Sequence, residues 1–372
     1  MNARYAAAAL ALLACACSTS TGPKPAELTP LEHEAQVRVL WSANAGDGDR
    51  FIFAPALADG ALYTAARDGT VTRFEAASGR TQWSVSAGTR LSGGVGADGR
   101  TVAVANEDGE VIALDAESGQ RRWTARVSSE VIAAPAIGSG LVLVRSIDNR
   151  VFAFGAQDGK RRWVYQRAPS SLIIRAPAGI TIDGDTAFAG FAGGKLAAIA
   201  LSNGGVRWEA TVALPKGGTE LERVADVVGD PAVQGREVCA ATYQGRIACY
   251  DMASGRQVWA RDISSLTGVS LDARYAFVSD DRGALQAFDR SNGRSVWKQD
   301  KLAHRQLSLP QPMGELIAVG DLEGYIHLLA RDTGAFVARY ATGGGPVRAA
   351  PRPIPGGLLV QTQDGALHAL AL

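Results

Sequence analysis

The chain has 372 residues, of which 38 are basic and 37 are acidic, so its formal net charge at pH 7 is +1. This balance, without any cluster of Lys and Arg, argues against a general nucleic-acid-binding protein. Beyond the N-terminal segment no apolar run of about 20 residues occurs, so the mature chain is not expected to span a membrane.

The N-terminal segment has the features of a bacterial lipoprotein signal. A short basic start precedes an apolar stretch, and the Leu-Leu-Ala-Cys run ending at Cys15 resembles a lipobox, which is cleaved before its acylated cysteine. We expect residues 1–14 to be the signal peptide and Cys15 to carry the lipid, with Cys17 as the alternative acceptor. A plain secretory signal also fits the small residues at the cleavage site. Residues 15–34 then form a lipidated N-terminus and a flexible tether, and residues 35–372 form the folded domain.

Two independent signals recur along the rest of the chain in a fixed register. Tryptophan occurs at Trp41, Trp83, Trp123, Trp163, Trp208, Trp259 and Trp297. A turn motif occurs at Asp68-Gly69, Asp108-Gly109, Asp148-Asn149, Gly193-Gly194, Gln244-Gly245, Arg282-Gly283, Glu323-Gly324 and Asp364-Gly365. In six cases the second turn residue lies 14 residues before the next tryptophan, whereas the seventh turn places Ala338 at that position. Such a register indicates one repeated structural unit.

Each unit is predicted to contain four short antiparallel strands. In the second unit, Thr101–Ala105 precedes the Asp108-Gly109 turn, Val111–Leu114 follows it, and Arg121–Ala125 carries the tryptophan on an outer strand. An inner strand precedes these, and Val131–Ala136 represents it in the next unit. A unit of about 40 residues with this composition is typical of a propeller blade. We therefore predict an all-β fold, an eight-bladed β-propeller of four-stranded antiparallel blades.

The two ends of the chain are expected to close the ring. The last unit lacks an outer strand after Leu367–Leu370, whereas Val37–Trp41 is an outer strand without a preceding turn. Pairing between them leaves no long unpaired edge strand. The tryptophans are predicted to pack between adjacent blades, because a large flat ring fills the wedge between two sheets. Where Ala338 replaces tryptophan, Phe336 and Tyr340 are expected to fill the gap.

Two further cysteines, Cys239 and Cys249, flank the Gln244-Gly245 turn. A two-residue loop there would pair residue 240 with Cys249 and direct the two thiols to opposite faces of the sheet. An oxidising compartment permits a disulfide, but this register does not favour one.

The sequence contains no recognisable catalytic or metal-binding motif. The four histidines lack metal-ligand spacing, and His327 and His368 occupy equivalent positions in their repeats. No nucleophile elbow, P-loop or paired catalytic carboxylates are found. We therefore predict no enzymatic activity, no metal and no cofactor.

The repeat period slips in two neighbouring units, between Trp163 and Gly194 and between Trp208 and Gly245. Both insertions follow an outer strand and precede the next inner strand, so they should share one face of the ring with the Gly-turn hairpins. The first contains Ser170–Arg175 and the second Gly217–Asp230. Apolar residues beside charged ones suit a protein interface. The alternative is that residues 172–174 begin an inner strand and are buried.

The motif Ala-x-Asp-x-x-Ser-Gly-x-x-x-Trp, at Ala113–Trp123, resembles the tryptophan-docking repeat of pyrroloquinoline-quinone dehydrogenases. Those enzymes carry long insertions, a vicinal cysteine pair and calcium ligands around the quinone. The short loops and the lack of a Cys-Cys pair here count against that activity. A quinone-type or other small-ligand-binding periplasmic propeller is the alternative function, and a cell-envelope module that binds glycan or another partner is a third.

A lipoprotein signal, a short tether and a bare eight-bladed ring together resemble the BamB family of the outer-membrane β-barrel assembly machinery. The resemblance extends from about residue 30 to the C-terminus. Its most specific stretches are Arg223–Asp226, Leu302–Arg305, Val319–Tyr325 and Asp332–Ala338, the last with the tryptophan missing as in the family.

In that family two neighbouring loops bind the periplasmic POTRA domains of the barrel-forming subunit. The family's Leu-x-Leu-Arg motif falls here on Leu172, Ile174 and Arg175, and its Asp-x-Asp motif falls on Asp226 and Val228. The second acid is absent, and Asp230 is the candidate substitute. These positions lie in the two insertions found from the repeat period. The expected partner-binding residues are Leu172, Ile173, Ile174, Arg175, Arg223 and Asp226.

The resemblance implies a non-enzymatic scaffold lipoprotein that assists the folding and insertion of outer-membrane proteins. It implies a lipid anchor in the outer membrane, with the propeller facing the periplasm, since no Asp follows either N-terminal cysteine. The implied partners are a BamA-like barrel subunit, bound through its POTRA domains, and unfolded outer-membrane proteins bound by β-augmentation. The protein is then a monomer within a hetero-oligomeric complex.

Overall fold

The computed structural model describes residues 23–32, 34–168 and 172–371. These residues form eight separate four-stranded antiparallel sheets. The prediction of an all-β, eight-bladed propeller is therefore confirmed. Within the same residues no helix is long and apolar enough to cross a membrane. The predicted signal peptide and both candidate lipidation sites, Cys15 and Cys17, lie outside the described part of the chain.

The blades follow one another along the chain, each running from an inner to an outer strand. Blade 1 contains β2 (Ala56–Ala58), β3 (Ala61–Ala65), β4 (Thr70–Glu75) and β5 (Thr81–Ser86). Blade 2 contains β6 (Gly93–Ala97), β7 (Thr101–Ala105), β8 (Glu110–Asp115) and β9 (Arg121–Arg126). Blade 3 contains β10 (Ala136–Gly138), β11 (Leu141–Ser146), β12 (Arg150–Gly155) and β13 (Arg161–Gln166). Blade 4 contains β14 (Ile180–Asp183), β15 (Thr186–Phe191), β16 (Lys195–Ala200) and β17 (Val206–Thr211).

The second half of the ring repeats the pattern. Blade 5 contains β18 (Val227–Gln234), β19 (Glu237–Thr242), β20 (Arg246–Asp251) and β21 (Gln257–Asp262). Blade 6 contains β22 (Ser270–Leu271), β23 (Tyr275–Ser279), β24 (Leu285–Asp289) and β25 (Ser295–Gln299). Blade 7 contains β26 (Gln311–Met313), β27 (Leu316–Gly320), β28 (Tyr325–Ala330) and β29 (Phe336–Ala341). Blade 8 contains β30 (Arg352–Ile354), β31 (Gly357–Gln361), β32 (Ala366–Ala371) and β1 (Arg38–Asn44).

Blade 8 joins the two ends of the chain, as the sequence predicted. Its strand order is β30, β31, β32 and then β1, and Trp41 lies opposite Ala369 in the β32–β1 pair. The inner strand of the third unit is shorter and later than predicted, since β10 begins at Ala136 rather than at Val131. The preceding residues belong to the connection between blades.

Every tryptophan docks onto the blade that follows its own, which confirms the packing role. The indole Nε1 donates a hydrogen bond of 2.6–3.1 Å to a backbone carbonyl in that blade. The pairs are Trp41–Ala76, Trp83–Ala116, Trp123–Ala156, Trp163–Leu201, Trp208–Met252, Trp259–Arg290 and Trp297–Arg331. The ring covers a glycine with positive φ, such as Gly159 under Trp123, where a Cβ would lie within 3.0 Å of the indole. These contacts hold neighbouring sheets in register around the ring.

The substitution of Ala338 for tryptophan is accommodated differently from the sequence expectation. Tyr340 does pack at the junction of blades 7 and 8, where its ring lies 5.7 Å from that of His368. Phe336 instead packs with Trp297 in the cluster between blades 6 and 7, so its predicted role at the gap is wrong. Residues 336 and 340 are four apart in β29 but are directed to different neighbours, because a register shift follows Leu328 on the paired strand.

The expected register of the cysteine hairpin is also wrong. Cys239 lies directly opposite Cys249, and the two form a disulfide in the core of blade 5. The loop has three residues rather than two, and its register is the one found in the other seven blades, where the residue four before the second turn residue lies opposite the residue two after it. The Thr242 hydroxyl accepts a hydrogen bond of 2.8 Å from the Arg246 N–H and closes this wider loop. One added loop residue shifts the register by one position and brings both sulfur atoms to the same face.

The second half of the expected tether is packed against blade 7. The Ala26 N–H donates to Ala303 O at 2.9 Å, and Ala35 N–H donates to Val337 O at 3.0 Å. The side chain of Arg305 is 2% exposed, and its Nη1 donates to Ala26 O at 2.8 Å. Residues 26–32, 34 and 35 therefore lie along the propeller, where the sequence predicted a flexible segment.

Arg305 also belongs to a buried charge network, which explains the Leu302–Arg305 and Val319–Tyr325 stretches of the sequence. Its Nε donates to the Asp321 carboxylate at 2.6 Å, and the His327 Nε2 lies 2.8 Å from the same oxygen. The His327 Nδ1 accepts from Arg339 Nε at 3.3 Å, so the imidazole is neutral with its proton on Nε2. The network joins the second and third strands of blade 7 to the docked N-terminal segment.

Candidate partner-binding site

The two insertions lie side by side on one face of the ring. Their described residues are 167–168 and 172–179, between β13 and β14, and 212–226, between β17 and β18; Ser170 and Ser171 of the first insertion lie outside the described part of the chain. Hydrogen bonds join each insertion to a hairpin between the second and third strands of a blade: Arg167 N–H donates to Asn149 O, and Tyr243 N–H donates to Asp226 O. We call this side of the ring the hairpin face. The face and the proximity expected from the repeat period are therefore as predicted.

Asp226 holds the two insertions together. Its side chain is 5% exposed, and one carboxylate oxygen accepts from the Ile174 N–H at 2.8 Å. The other oxygen accepts from the Gly193 N–H, at 3.0 Å, in the hairpin of blade 4. Asp226 therefore positions the first insertion instead of presenting its charge to solvent.

Asp230 makes a second connection of the same kind. It lies in the bulged strand β18, and its Oδ1 accepts from the Gly179 N–H at 2.9 Å. Val228, at the position of the family's second acid, is buried at 1% exposure. Asp230, two residues after Val228, thus provides a second carboxylate contact to the first insertion.

A groove of about 280 Å³ lies where the insertions meet. Leu172 is 38% exposed at its edge, while Ile173 and Ile174 are half-buried. The alternative interpretation, in which these residues begin the inner strand, is wrong because β14 begins at Ile180. The groove is lined by Leu172, Gly193, Pro215, Glu220, Arg223, Val224 and Asp226. The structure therefore brings Leu172 and Arg223 to one surface.

Arg175 lies at the edge of a larger cavity, beside the groove. Its guanidinium is 54% exposed and forms a 2.5 Å ion pair with the nearly buried Glu130, from the connection between blades 2 and 3. The cavity, about 650 Å³, takes residues from connections all around the ring, including Phe51, Leu266 and Arg348, and so marks the mouth of the central axis. Glu130 fixes the position of Arg175 at this mouth while leaving half of its surface open to a partner.

Arg145 supplies a positive charge beneath the first insertion. Its Nη1 donates to Ala178 O at 3.3 Å. Burial lowers the pKa of the Arg145 guanidinium to about 10, against the opposing effect of the Asp226 and Asp148 carboxylates. The side chain therefore stays charged at neutral pH and compensates the buried Asp226 carboxylate.

The second insertion is folded on itself around Arg223. The exposed Arg223 side chain donates through Nε to Gly217 O at 3.0 Å. The Glu222 carboxylate accepts from the backbone N–H groups of Gly218 and Thr219, which lowers its pKa. These bonds present the tip of the loop, with Leu221, to solvent.

Three exposed leucines on the hairpin face were not predicted from the sequence. Leu214 is 65% exposed, Leu221 is 71% exposed, and Leu266 at the central mouth is 49% exposed. Together with Leu172 they make the surface over blades 4 to 6 apolar. The sequence signal that could have identified them is a large apolar side chain in a connection between strands, where no alternation of apolar and polar residues indicates burial.

The described residues contain no group of three or more His, Cys, Asp or Glu side chains placed to hold a metal ion. Of the charged residues on the hairpin face, Arg175 forms an ion pair with Glu130, and Asp226 and Arg223 form hydrogen bonds with backbone groups. An apolar surface with a charged border is an arrangement that suits contact with another protein.

The fold and this surface define a closed eight-bladed propeller whose two longest connections between blades form an apolar surface on one face. The family model described as "Outer membrane protein assembly factor BamB" matches residues 38–299. The chain belongs to this family.

Individual relatives agree with that assignment. The outer membrane protein assembly factor BamB of Bordetella pertussis is 44% identical over 345 residues, which cover 92% of this chain and 89% of that protein. The crystal structure of BamB from Moraxella catarrhalis superposes with a TM-score of 0.82 at 27% identity, covering 91% of this chain and all of that one. The quinohemoprotein alcohol dehydrogenase of Comamonas testosteroni has a TM-score of 0.68 at 13% identity, over 90% of this chain and 76% of that one, and shares the fold alone. These comparisons do not favour the quinone-binding alternative.

Proposed function

We propose that this protein is a non-enzymatic scaffold in outer-membrane protein assembly. Its membership of the family supports this function. The observation that carries the proposal is the apolar surface formed by two insertions that are locked together on one face of a closed ring. A scaffold requires a rigid surface, and Asp226 provides that rigidity by tying the Ile174 N–H to the hairpin of blade 4.

The proposed partner is the barrel-forming, BamA-like subunit, bound through its POTRA domains. Leu172 and the half-buried Ile173 and Ile174 supply the apolar centre, with Arg175 on one side and Arg223 on the other. Arg175 is the proposed charge anchor, because its guanidinium is held at one end by Glu130 and is open at the other. An acidic side chain of the partner would complete its coordination.

We further propose that Cys15, or alternatively Cys17, anchors the protein to the outer membrane, with the propeller in the periplasm. Residues 15–25 would link the lipid to the docked segment that begins at Ala26. The disulfide of blade 5 is compatible with that oxidising compartment. Outer strands could receive unfolded outer-membrane proteins by β-augmentation, and the protein would act as a monomer within its complex.

Co-purification of the barrel subunit from detergent-solubilised envelope tests this proposal. Arg175→Glu should reduce the retained subunit about tenfold or more, since it removes a charge pair and adds repulsion. Leu172→Ser is the second variant. Leu172 is exposed, and its substitution leaves the ion pair between Arg175 and Glu130 intact.

The matched control is Arg207→Glu. Arg207 lies in the same blade, pairs with Asp185 and is 40% exposed, but it belongs to the opposite side of the ring. It should retain the subunit at the wild-type level. Full retention by folded Arg175→Glu and Leu172→Ser variants would contradict the proposed interface. A rise in melting temperature on adding pyrroloquinoline quinone and calcium would contradict the non-enzymatic role.

A further inference from the structure

One of the eight blade junctions is built differently from the others. At seven junctions a tryptophan of one outer strand covers a glycine in the next blade. That glycine lies four residues before the tryptophan of its own blade, or, in blade 7, four residues before Ala338. At the junction of blades 7 and 8 the first position holds Ala338. The glycine position, four residues before Trp41, holds Val37. Both halves of the docking pair are therefore replaced together.

Ring closure is the physical reason for this difference. In the other blades the docking glycine belongs to the turn that joins the third strand to the outer strand. In blade 8 the outer strand β1 comes from the N-terminal end of the chain and pairs with β32 without such a turn. A tryptophan at position 338 would have no turn to cover.

The unfilled space is a groove of about 330 Å³ between blades 7 and 8. Every side chain that lines it is apolar: Val37, Met313, Leu328, Pro353, Ile354, Leu358, Leu370 and Ala371. Leu328 lies opposite Ala338 in the strand pair, at a position where most blades have alanine opposite tryptophan, so its larger side chain fills part of the space. Among the described residues, none fills the rest of the space, which opens at the surface beside Pro353.

We propose that this groove binds an aromatic side chain of another protein. The internal repeat supplies the argument, since seven equivalent junctions each hold an indole against the same strands of the following blade. Pro353 and Leu358 correspond in register to Ala97 and Val102, and Leu370 corresponds to Leu114, beside the docked Trp83. An aromatic ring buries a large area in such a slot, and the flexible Met313 side chain can adjust to its outline.

Methionine-methyl NMR tests this proposal directly. The sequence contains three methionines, Met1, Met252 and Met313. Met313 lines the groove, whereas Met252 lies in blade 5 and serves as the internal control. Adding N-acetyltryptophanamide should shift the Met313 methyl signal upfield in a saturable manner, with an affinity on the order of 1 mM for a single ring. The Met252 signal should stay in place.

A filled groove provides the second measurement. The double variant Val37→Gly, Ala338→Trp is designed to place an indole of the chain itself in the groove, although blade 8 has no turn for it to cover. It should shift the Met313 signal without ligand and abolish the response to N-acetyltryptophanamide. The wild-type titration does not depend on whether this variant folds.

Three outcomes would overturn the proposal. The first is a Met313 signal that does not respond at 20 times the expected dissociation constant, or that moves together with Met252. The second is a Met313 signal that depends on protein concentration without ligand, because a second copy would then occupy the groove. The third is a signal that responds to Leu372→Ala and not to the ligand, which would assign the groove to the chain's own C-terminal residue.

Discussion

Replacing Asp226 by alanine should free the first insertion from the ring without removing any side chain that faces a partner. The Asp226 carboxylate is 5% exposed and accepts hydrogen bonds from the Ile174 and Gly193 N–H groups. A hydrogen bond to a buried charged group contributes about 1.5–3 kcal/mol, so losing both should cost about 3 kcal/mol or more. The loss is local, because the strands of blades 4 and 5 keep their own ladders.

Hydrogen–deuterium exchange measures this effect at the affected amides. A local opening that is about 3 kcal/mol easier raises the exchange rate of Ile174 and Gly193 by about 100-fold. Asp226→Asn should lie between wild type and alanine, because its amide oxygen can accept one bond while its NH2 group opposes the other donor. Co-purification of the barrel subunit should fall in the same order.

The result that would refute this reasoning is specific. If Asp226→Ala abolished partner binding while Ile174 and Gly193 kept their wild-type protection, the carboxylate would contact the partner itself. The hydrogen bonds of Asp226 to Ile174 and Gly193 would then exist in the free protein and be replaced on binding. A matched substitution, Asp230→Ala, should affect the exchange of Gly179 and leave that of Ile174 unchanged.

Three further predictions follow from contacts within the ring. Hydrogen bonds from His327 and Tyr325 N–H outweigh burial and lower the pKa of Asp321, while burial lowers the pKa of His327. Both groups therefore stabilise the fold at neutral pH. The melting temperature should fall as the pH drops below 6.5, where His327 would be protonated in the unfolded chain, and fall again below 3.8, where Asp321 would be. The His327→Gln variant should lack the first of these two decreases. Reduction of the Cys239–Cys249 disulfide should cost about 2–3 kcal/mol of stability, and the double serine variant should melt identically with and without reductant. Trp123→Phe should cost about 1–3 kcal/mol in urea unfolding by orphaning a carbonyl, and Trp123→Ala about 3–5 kcal/mol.

The repeat made the fold predictable because it carries two signals that depend on one geometry. Gly turns occur where the chain reverses, and tryptophans occur where one blade meets the next, so a constant spacing reports a constant blade. The exception at Ala338 also follows from that geometry. The sequence indicated that a tryptophan was missing, but the reason, an absent turn in blade 8, required the strand order β32–β1.

The site was predictable in position and less so in detail. Period slips located both insertions, but spacing contains no information about which side chains turn inward. Asp226 is charged and lies in a loop, features typical of a surface residue, yet it is buried and accepts hydrogen bonds from the N–H groups of Ile174 and Gly193. The disulfide was missed because the residues at Gln244-Gly245 do not distinguish a two-residue from a three-residue loop, and the hairpin has the three-residue register of the other blades.

The docked N-terminal segment was missed for a related reason. Residues 15–34 have the composition of a tether, but Ala26 accepts a hydrogen bond from the buried Arg305, which is nearly 280 residues away in sequence. Local composition cannot reveal such a contact. The stretches around Arg305 and Asp321 were visible as specific features, but their role as a clamp became clear once the network was seen in three dimensions.

The position of the proposed partner-binding surface follows from how a propeller uses its strands. The two faces of each sheet pack against the neighbouring blades, and every residue of strands β7 and β15 is buried. Side chains there cannot change without opening the ring. The connections on the hairpin face carry no such constraint, so length and apolar residues such as Leu172 and Leu221 can accumulate there. A change in the repeat period therefore indicates a connection that can lengthen and contact another protein without disturbing the packing of the blades.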